Sequence, residues 1–267
     1  ARGPRLPRTA TSAAMMRPSA AAVLVAALAL AQVQSVVLTQ SGRGGAAPKV
    51  DAKAKVPVEL YVMSRCPDAA ACEQVFGPVL RELGEAVDVT LGMIADEGGA
   101  KCMHGPAECA GDRQQLCAQR AAAGNITKLV DFLLCQDDHQ NSIPSNGEAC
   151  AARAGLDARQ LDACANGDEG RSLLNASSTS TAQRNIQISC TVRVAGANFC
   201  VHNGAWQDCD ACPGDDKAAC LREHICASSP STPACRRPSL PSKDAKVRQL
   251  EDEIAELGRQ ISDDKKA

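Results

Sequence analysis

The stretch of sequence that decides the fold is Val58-Glu-Leu-Tyr-Val-Met-Ser-Arg-Cys66-Pro67, in which an apolar run ends at a cysteine and a proline. The run predicts a buried strand over residues 56–63. Apolar side chains at helical spacing follow and predict a helix that ends near Gly84: Cys72, Phe76, Val79, Leu80 and Leu83. Because a helix N-terminus carries partial positive charge and stabilises a thiolate, Cys66 is a candidate nucleophile.

Three more segments extend this unit into a sheet. Residues 87–94 carry alternating apolar side chains and predict a second strand parallel to the first. Strands at 186–194 and 199–201 are joined by a predicted hairpin turn at 195–198. A strand, a Cys-Pro pair and a helix in this order are typical of the way a thioredoxin-like fold presents a reactive thiol. We therefore predict an α/β thioredoxin-like fold with an inserted cysteine-rich helical subdomain at about 98–185.

The composition points to an oxidising compartment. The chain has 15 cysteines in 267 residues, a density that is hard to maintain in a reducing cytosol, and the odd count leaves at least one thiol free or bonded to another molecule. Two N-glycosylation motifs agree with the secretory pathway, Asn125-Ile-Thr127 and Asn175-Ala-Ser177. Aromatic residues are only 2% of the chain, so we expect disulfides to support its core. A formal net charge of -2 gives no indication of nucleic-acid binding.

The flanking segments differ in composition from the predicted domain. Residues 1–31 combine a basic start, a short apolar run and small residues, which is the layout of a cleaved secretory signal peptide. An uncleaved membrane anchor at 18–38 is the competing interpretation, and polar residues that interrupt the apolar run weigh against it. Linkers are predicted at 32–55 and 229–242, on either side of a thioredoxin-like domain at 56–228.

The C-terminal segment, residues 243–267, has a pattern of its own. Its apolar side chains are spaced alternately by three and four residues: Val247, Leu250, Ile254, Leu257 and Ile261. This spacing predicts an amphipathic helix or short coiled coil. Such a helix can mediate a homodimer or dock on its own domain, and the pattern alone does not decide between the two.

The run Cys102-Met-His-Gly105-Pro-Ala-Glu108-Cys109, followed by Cys117, resembles the signature of the gamma-interferon-inducible lysosomal thiol reductase family. The resemblance covers about residues 56–209. It implies a thioredoxin-like fold with a helical insertion between the second and third strands. It also implies a glycosylated, cofactor-free enzyme, secreted or lysosomal, that reduces protein disulfides in acidic compartments with a Cys-x-x-Cys pair.

The sequence departs from the family pattern at two positions. The second thiol of the pair is Cys72, which leaves five residues between it and Cys66. Thioredoxin-like folds also place a cis-proline before the third strand, and counting back from the turn at Gly196 puts Cys190 at that position. Because a cis bond before a non-proline residue costs about 3 kcal/mol, we expect the peptide before Cys190 to be trans.

A dithiol reductase needs one thiol that attacks the substrate and a second that resolves the mixed disulfide. Cys66 fits the first role, although it could instead be half of a structural disulfide. A continuous helix would carry Cys72 about 9 Å from Cys66 along its axis, which exceeds the roughly 7 Å Cα–Cα reach of a disulfide. A direct bond would therefore require residues 67–70 to form a loop, and the alternative is that Cys72 is buried and inert. Cys190 is the third candidate, and we hypothesise that the three cysteines form one cluster.

The other cysteines are assigned structural roles. Cys102, Cys109 and Cys117 are expected in disulfides, and the last two lie too far apart on one helix to pair with each other. Cys209-Asp-Ala-Cys212 could be a second redox pair or half of a zinc site, but structural disulfides are favoured, for example Cys200 to Cys209. His104 could be a base or metal ligand, and we favour a local hydrogen-bonding role; no metal site is predicted.

Together these observations predict a thiol-disulfide oxidoreductase that acts on protein disulfides in the secretory or endolysosomal pathway. Cys66 is the nucleophile, and Cys72 or Cys190 is the resolving thiol. The mechanism needs no bound cofactor but requires an external thiol reductant. The alternative is a non-enzymatic, disulfide-rich secreted binding module on the same fold.

Overall fold

The computed structural model describes residues 55–236, 247, 250–255 and 259. All of them belong to the unit Asp51–Ala267. The predicted signal peptide, the alternative anchor and nearly all of the first linker lie outside the described residues, as does much of the second linker. Within the described residues, no helix has the length and apolar character needed to cross a bilayer.

A five-stranded sheet with the order β2-β1-β3-β4-β5 forms the centre of the domain. Its strands are β1 (Val56–Val62), β2 (Val87–Met93), β3 (Thr191–Val194), β4 (Ala197–His202) and β5 (Trp206–Gln207). β1 and β2 are parallel, as predicted, and the other neighbouring pairs are antiparallel. The third strand begins later than predicted, and the hairpin turn is tighter because Ala195 and Gly196 both adopt positive φ angles, 51° and 80°.

Within residues 55–236, seven α-helices surround or extend the sheet. They are α1 (Pro67–Leu83), α2 (Pro106–Ala122), α3 (Ile126–Asp137), α4 (Gly147–Arg153), α5 (Ala158–Asn166), α6 (Asp168–Gln183) and α7 (Lys217–Ser228). Helices α2 to α6 form the insertion between β2 and β3. The predicted α/β thioredoxin-like fold is therefore confirmed. The sequence did not predict α7, because its residues are cysteine-rich and show almost no apolar periodicity.

The core lies between α1 and the sheet. Phe76, Leu80 and Leu83 on α1 are fully buried. The Phe76 ring contacts Phe199 on β4 at 5.9 Å and Trp206 on β5 at 5.2 Å between ring centroids. Few aromatic residues are available elsewhere, so disulfides join the helices of the insertion: Cys117–Cys164 links α2 to α5, and Cys135–Cys150 links α3 to α4.

The described residues of the C-terminal segment are helical, and all of them are exposed. Val247, Leu250 and Ile254 have 51%, 54% and 67% of their surface in contact with solvent. The apolar seam therefore does not pack on the domain over the part of the segment that the structure describes. Of the two interpretations of the heptad pattern, docking on the chain's own domain lacks support here.

A pair of carboxyl groups is buried where α1 packs against α3. Glu73 on α1 and Asp137 at the end of α3 are only 2% and 8% exposed. Burial, and next the negative charge of Asp137, raise the pKa of Glu73 well above its ordinary value. Burial raises the pKa of Asp137 to about 7, and the nearby charge of Asp138 acts in the same direction. The folded chain therefore retains protons at this site that the unfolded chain releases.

We expect the free energy of unfolding to be larger at pH 5 than at pH 8. A carboxyl group whose pKa is raised by folding stabilises the fold fully below its ordinary pKa, which is 4.5 for Glu73. This stabilisation is lost as the pH rises through the higher pKa of the folded state. In Glu73→Gln, the loss of stability between pH 5 and pH 8 should shrink by about 1 kcal/mol or more, since one pKa unit corresponds to about 1.4 kcal/mol. Urea unfolding of the disulfide-intact protein at both pH values measures this difference. The exposed Glu148→Gln is the matched control, and an equal pH dependence in both variants would contradict the assignment.

Candidate active site

Cys66 lies at the junction between β1 and α1. Its backbone N–H donates to the carbonyl of Met63 at 2.9 Å, which closes the turn after the strand. It is the N-cap residue of α1, with Pro67 in the first turn, where the missing N–H of proline costs no helical hydrogen bond. The Cys66 carbonyl accepts from Gln140 Nε2 at 2.6 Å, which attaches the loop after α3 to the site. The thiol is placed at the positive end of the α1 dipole and has only 6% of its surface exposed.

The Cys66 thiol faces the segment that leads into β3. Its Sγ lies 3.8 Å from the carbonyl oxygen of Ser189, and the Ser189 hydroxyl accepts from the backbone N–H of Met63 at 3.1 Å. The Ser189–Cys190 peptide is cis, so the expectation of a trans bond was wrong. That expectation considered only the intrinsic preference of the bond. In the folded chain, Ser189 is held by the turn before Cys66, and Cys190 exchanges two backbone hydrogen bonds with His202 on β4.

Cys190 is joined to Cys72 on α1 by a disulfide with a Cα–Cα distance of 6.3 Å. Both residues are completely buried. Since α1 is continuous from Pro67, no loop brings Cys72 back to Cys66, and these two are not bonded directly. A Cys-x-x-Cys pair would have its second thiol at the position of Ala69, which is buried. The structure thus places Cys66 against the peptide of Cys190, and Cys190 in a bond with Cys72.

Cys66 is the only free cysteine among the 15, all of which fall within the described residues. The other pairs are Cys102–Cys109, Cys117–Cys164, Cys135–Cys150, Cys200–Cys209, Cys212–Cys220 and Cys226–Cys235. Cys209 and Cys212 bond to different partners, so in this structure they form neither a redox pair nor a thiolate pair for zinc. Among the described residues, no group of three or more potential metal ligands is present.

A link that the sequence did not reveal holds the start of α1 against β4. One carboxylate oxygen of Asp68 accepts from His202 Nδ1 and from the backbone N–H of Gly204, each at 2.7 Å. The His202 ring in turn packs edge-on against Trp206 at 4.7 Å. Asp68 and His202 are 134 residues apart, so no local motif connects them. The link fixes the helix terminus beside the strand that pairs with Cys190.

A buried carboxyl group supports the turn before Cys66 from the other side. Asp112 on α2 accepts from the backbone N–H of Ser64 at 2.9 Å, and the Ser64 hydroxyl donates to the Glu108 carbonyl at 3.0 Å. Burial raises the pKa of Asp112 to about 7, against the lowering effect of the Ser64 hydrogen bonds. Gly111 permits this approach, because a Cβ there would lie 2.5 Å from Ser64 Oγ. Asp112 was not predicted from the sequence, in which its position one turn after Glu108 of the family-like motif is the only signal.

His104 and the two glycosylation candidates lie outside the thiol cluster. The His104 imidazole and backbone N–H both bind the carboxylate of the buried Glu108, which orders the loop closed by Cys102–Cys109. Asn125 is exposed and caps α3 by accepting from the Lys128 N–H at 3.2 Å. Asn175 is exposed on α6. His104 therefore makes a local interaction, and both asparagines are exposed.

Part of the domain is similar to known proteins. The sequence model of the gamma interferon inducible lysosomal thiol reductase (GILT) family matches residues 57–154. GILT-like protein 1 of Drosophila melanogaster is 31% identical over 150 residues, which are 48% of this chain and 60% of that protein. The chain thus spans about 60% of the length of this curated relative.

The fold also resembles solved structures of thiol-disulfide proteins. The crystal structure of reduced DsbA from Mycobacterium tuberculosis matches with a TM-score of 0.50 at 20% sequence identity. The match covers 73% of this chain and 92% of that one. At this level of identity the similarity supports the thioredoxin-like fold alone.

We expect Asp112 to restrain the reactivity of Cys66 at alkaline pH. Above about pH 7 the Asp112 carboxyl is ionised, and its negative charge, next to Ser64, disfavours a thiolate two residues further along the chain. Asp112→Asn should therefore raise the alkylation rate of Cys66 by about two- to tenfold at pH 8 and leave it unchanged at pH 5, as expected for about 0.4–1.4 kcal/mol of repulsion. Iodoacetamide labelling followed by mass mapping measures the rate. The exposed Asp96→Asn is the control, and an Asp112→Asn rate equal to that of wild type at pH 8 would refute the coupling.

Proposed function

Because the chain belongs to the GILT family across residues 57–154, we propose that it is a thiol-disulfide oxidoreductase that acts on protein disulfides in the secretory or endolysosomal pathway. Cys66 is the nucleophile of the proposed reaction. The observation that carries the proposal is the placement of the one free thiol at the N-terminus of α1, beside a disulfide.

The chemistry follows from ordinary thiol–disulfide exchange. The Cys66 thiolate attacks one sulfur of a substrate disulfide, so that a mixed disulfide forms and the other substrate sulfur leaves as a thiolate that takes up a proton. In the protein whose Cys72–Cys190 disulfide has been reduced, the Cys190 thiolate then attacks the Cys66 sulfur and releases the first substrate sulfur, because the first turns of α1 separate Cys72 from Cys66. Two electrons pass from the protein to the substrate. An external thiol must return them before the next turnover, and no bound cofactor is required.

Two features support a lumenal, acidic location. Seven disulfides are stable in an oxidising compartment and hard to maintain in the cytosol. The raised pKa values of Glu73, Asp112 and Asp137 keep these buried carboxyl groups uncharged at acidic pH. The fold is therefore expected to be most stable under the conditions of an endolysosomal lumen.

One observation favours the alternative of a non-enzymatic binding module. Cys66 is 6% exposed, and neither sulfur-bearing residue of the Cys72–Cys190 pair is exposed to solvent. A substrate disulfide can reach Cys66 only if the rim of the site yields on binding. An activity measurement on the intact chain separates the two functions.

The wild-type protein should reduce a denatured, disulfide-bonded polypeptide at pH 5 in the presence of a small thiol such as cysteine. Cys66→Ser should lower the rate at least 100-fold, because serine is not a nucleophile towards disulfides at this pH. Ala71→Ser, a serine placed five residues further along on α1, is the control and should retain the wild-type rate. Substrate thiols are counted by acid precipitation of the polypeptide, which removes the small thiol, followed by alkylation and mass spectrometry. Equal rates in the wild type and in the reductant alone would leave the binding module as the function.

We also propose that residues 243–267 join two copies of the chain in a parallel coiled coil. The heptad has β-branched residues at one core position and leucine at the other, a combination that favours two parallel strands: Val247, Ile254 and Ile261 alternate with Leu250 and Leu257. Lys246 and Glu251 occupy flanking positions, and their opposite charges would face each other between parallel copies. The exposure of Val247, Leu250 and Ile254 in the single chain supports a second copy as the occupant of this seam.

Ile254→Lys should convert a concentration-dependent dimer into a monomer, because it places a charge at the centre of the seam. Ala255→Lys adds the same charge one residue away, outside the seam, and should leave the dimer intact. Light scattering after size-exclusion chromatography of the full chain gives the mass of each species. A monomeric wild type at 100 μM, or a dimer that survives Ile254→Lys, would argue against this interface.

A further inference from the structure

We propose that Cys66, Cys190 and Cys72 act as a three-thiol relay, in which the buried Cys72–Cys190 disulfide exchanges with the surroundings only through Cys66. The inference rests on the proposed function and deepens it. In this relay Cys190 and Cys72 both act as resolving thiols in the same reaction, Cys190 first and Cys72 second. The usual Cys-x-x-Cys arrangement has a single resolving thiol.

The position of Cys190 between the other two cysteines carries the proposal. On one side Cys190 is bonded to Cys72 on α1. On the other, the Cys66 Sγ lies 3.8 Å from the carbonyl oxygen of the peptide that joins Ser189 to Cys190. Cys66 and Cys72 have no direct bond, because the first turns of α1 separate them. Cys190 is therefore the one cysteine that both of the others can reach.

Burial gives the relay a direction. Cys72 and Cys190 are each 0% exposed, whereas Cys66 retains 6% of its surface. An external thiol or a substrate disulfide therefore meets Cys66 first. The disulfide at Cys72 is secluded from solvent, and exchange with it requires a sulfur that is already inside the site.

The forward sequence has three exchanges, each of which breaks one S–S bond and forms one. Cys66 thiolate attacks the substrate disulfide and releases one substrate thiol. Cys190 thiolate attacks the Cys66 sulfur, which releases the second substrate thiol and leaves Cys66–Cys190. Cys72 thiolate then attacks the Cys190 sulfur, which forms Cys72–Cys190 and regenerates the Cys66 thiolate. In sum, one substrate disulfide is reduced to two thiols and two protein thiols are oxidised to one disulfide.

Regeneration follows the same path in reverse, with a small thiol as the named reductant. Cys66 thiolate attacks Cys190, so that the disulfide moves to Cys66–Cys190 and Cys72 is released as a thiol. One reductant molecule attacks the Cys66 sulfur and releases Cys190, and a second frees Cys66 while the two reductant sulfurs form a disulfide. The observed state, with Cys66 free and Cys72–Cys190 closed, is the oxidised end of this cycle.

The test measures how fast the Cys72–Cys190 disulfide is reduced in the full-length protein. Wild type, Cys66→Ser and Cys66→Ala are exposed to reduced glutathione at pH 7, quenched with acid, alkylated and mapped by mass spectrometry. Reduction of Cys72–Cys190 should be at least tenfold faster in the wild type than in either variant. Cys135–Cys150 is the control within each molecule, because it is also buried and contains none of the three relay cysteines; its rate should be the same in all three and reports intact folding.

Cys72→Ser provides a second readout, since it removes the last step and should leave Cys66–Cys190 as the disulfide after one turnover. The relay is overturned if Cys72–Cys190 is reduced at the same rate in the wild type and in the Cys66 variants. It is also overturned if no Cys66–Cys190 bond forms in Cys72→Ser. Substrate reduction by the wild type is scored separately. If it proceeds while Cys72–Cys190 never exchanges, the relay fails and the oxidoreductase function stands. If exchange occurs but no substrate is reduced, the function fails and the relay stands.

Discussion

The Cys72–Cys190 disulfide joins α1 to the segment that precedes β3, and the geometry around the free thiol depends on this link. It holds the segment before β3 against the start of the helix, where the Ser189 carbonyl lies 3.8 Å from Cys66 Sγ. Two further contacts hold the same junction. Asp68 binds His202 and Gly204 on the β4 side, and Asp112 binds the turn at Ser64 on the α2 side. The thiol is thus positioned by three separate elements of the fold, as a reactive group requires.

The parts of this arrangement that could be predicted are local in sequence. Residues 58–67 and the apolar spacing after them define β1, Cys66 and α1, because strand and helix periodicities are set by near neighbours. Counting back from the turn at Gly196 led to Cys190, whose neighbour Ser189 lies against the Cys66 thiol. The contacts that complete the site join residues far apart in the chain, 134 residues for Asp68 and His202 and 48 for Ser64 and Asp112. Contacts between residues so far apart produce no characteristic spacing in a single sequence. The peptide before Cys190 is cis, whereas the prediction relied on the general preference of non-proline peptides for the trans form.

The interior of the domain contains both disulfides and buried carboxyl groups, and the stability of each depends on the surrounding redox conditions or pH. A core with few aromatic residues buries limited apolar area, and covalent links between helices compensate for this. Carboxyl groups in the same interior are neutral at low pH, and their ionisation opposes folding as the pH rises. Both features suit an oxidising, acidic lumen. At the site itself, Cys190 lies between Cys66, which is 6% exposed, and Cys72, which is completely buried.

The most direct test of this account is the disulfide map of the native, oxidised full-length protein, taken after alkylation of free thiols at acid pH so that exchange is suppressed. The account predicts the alkyl group on Cys66 and a peptide pair joined through Cys72 and Cys190. A map in which Cys66 is bonded to a cysteine outside this trio, or in which Cys72 or Cys190 forms its disulfide with one of the other twelve cysteines, would contradict it.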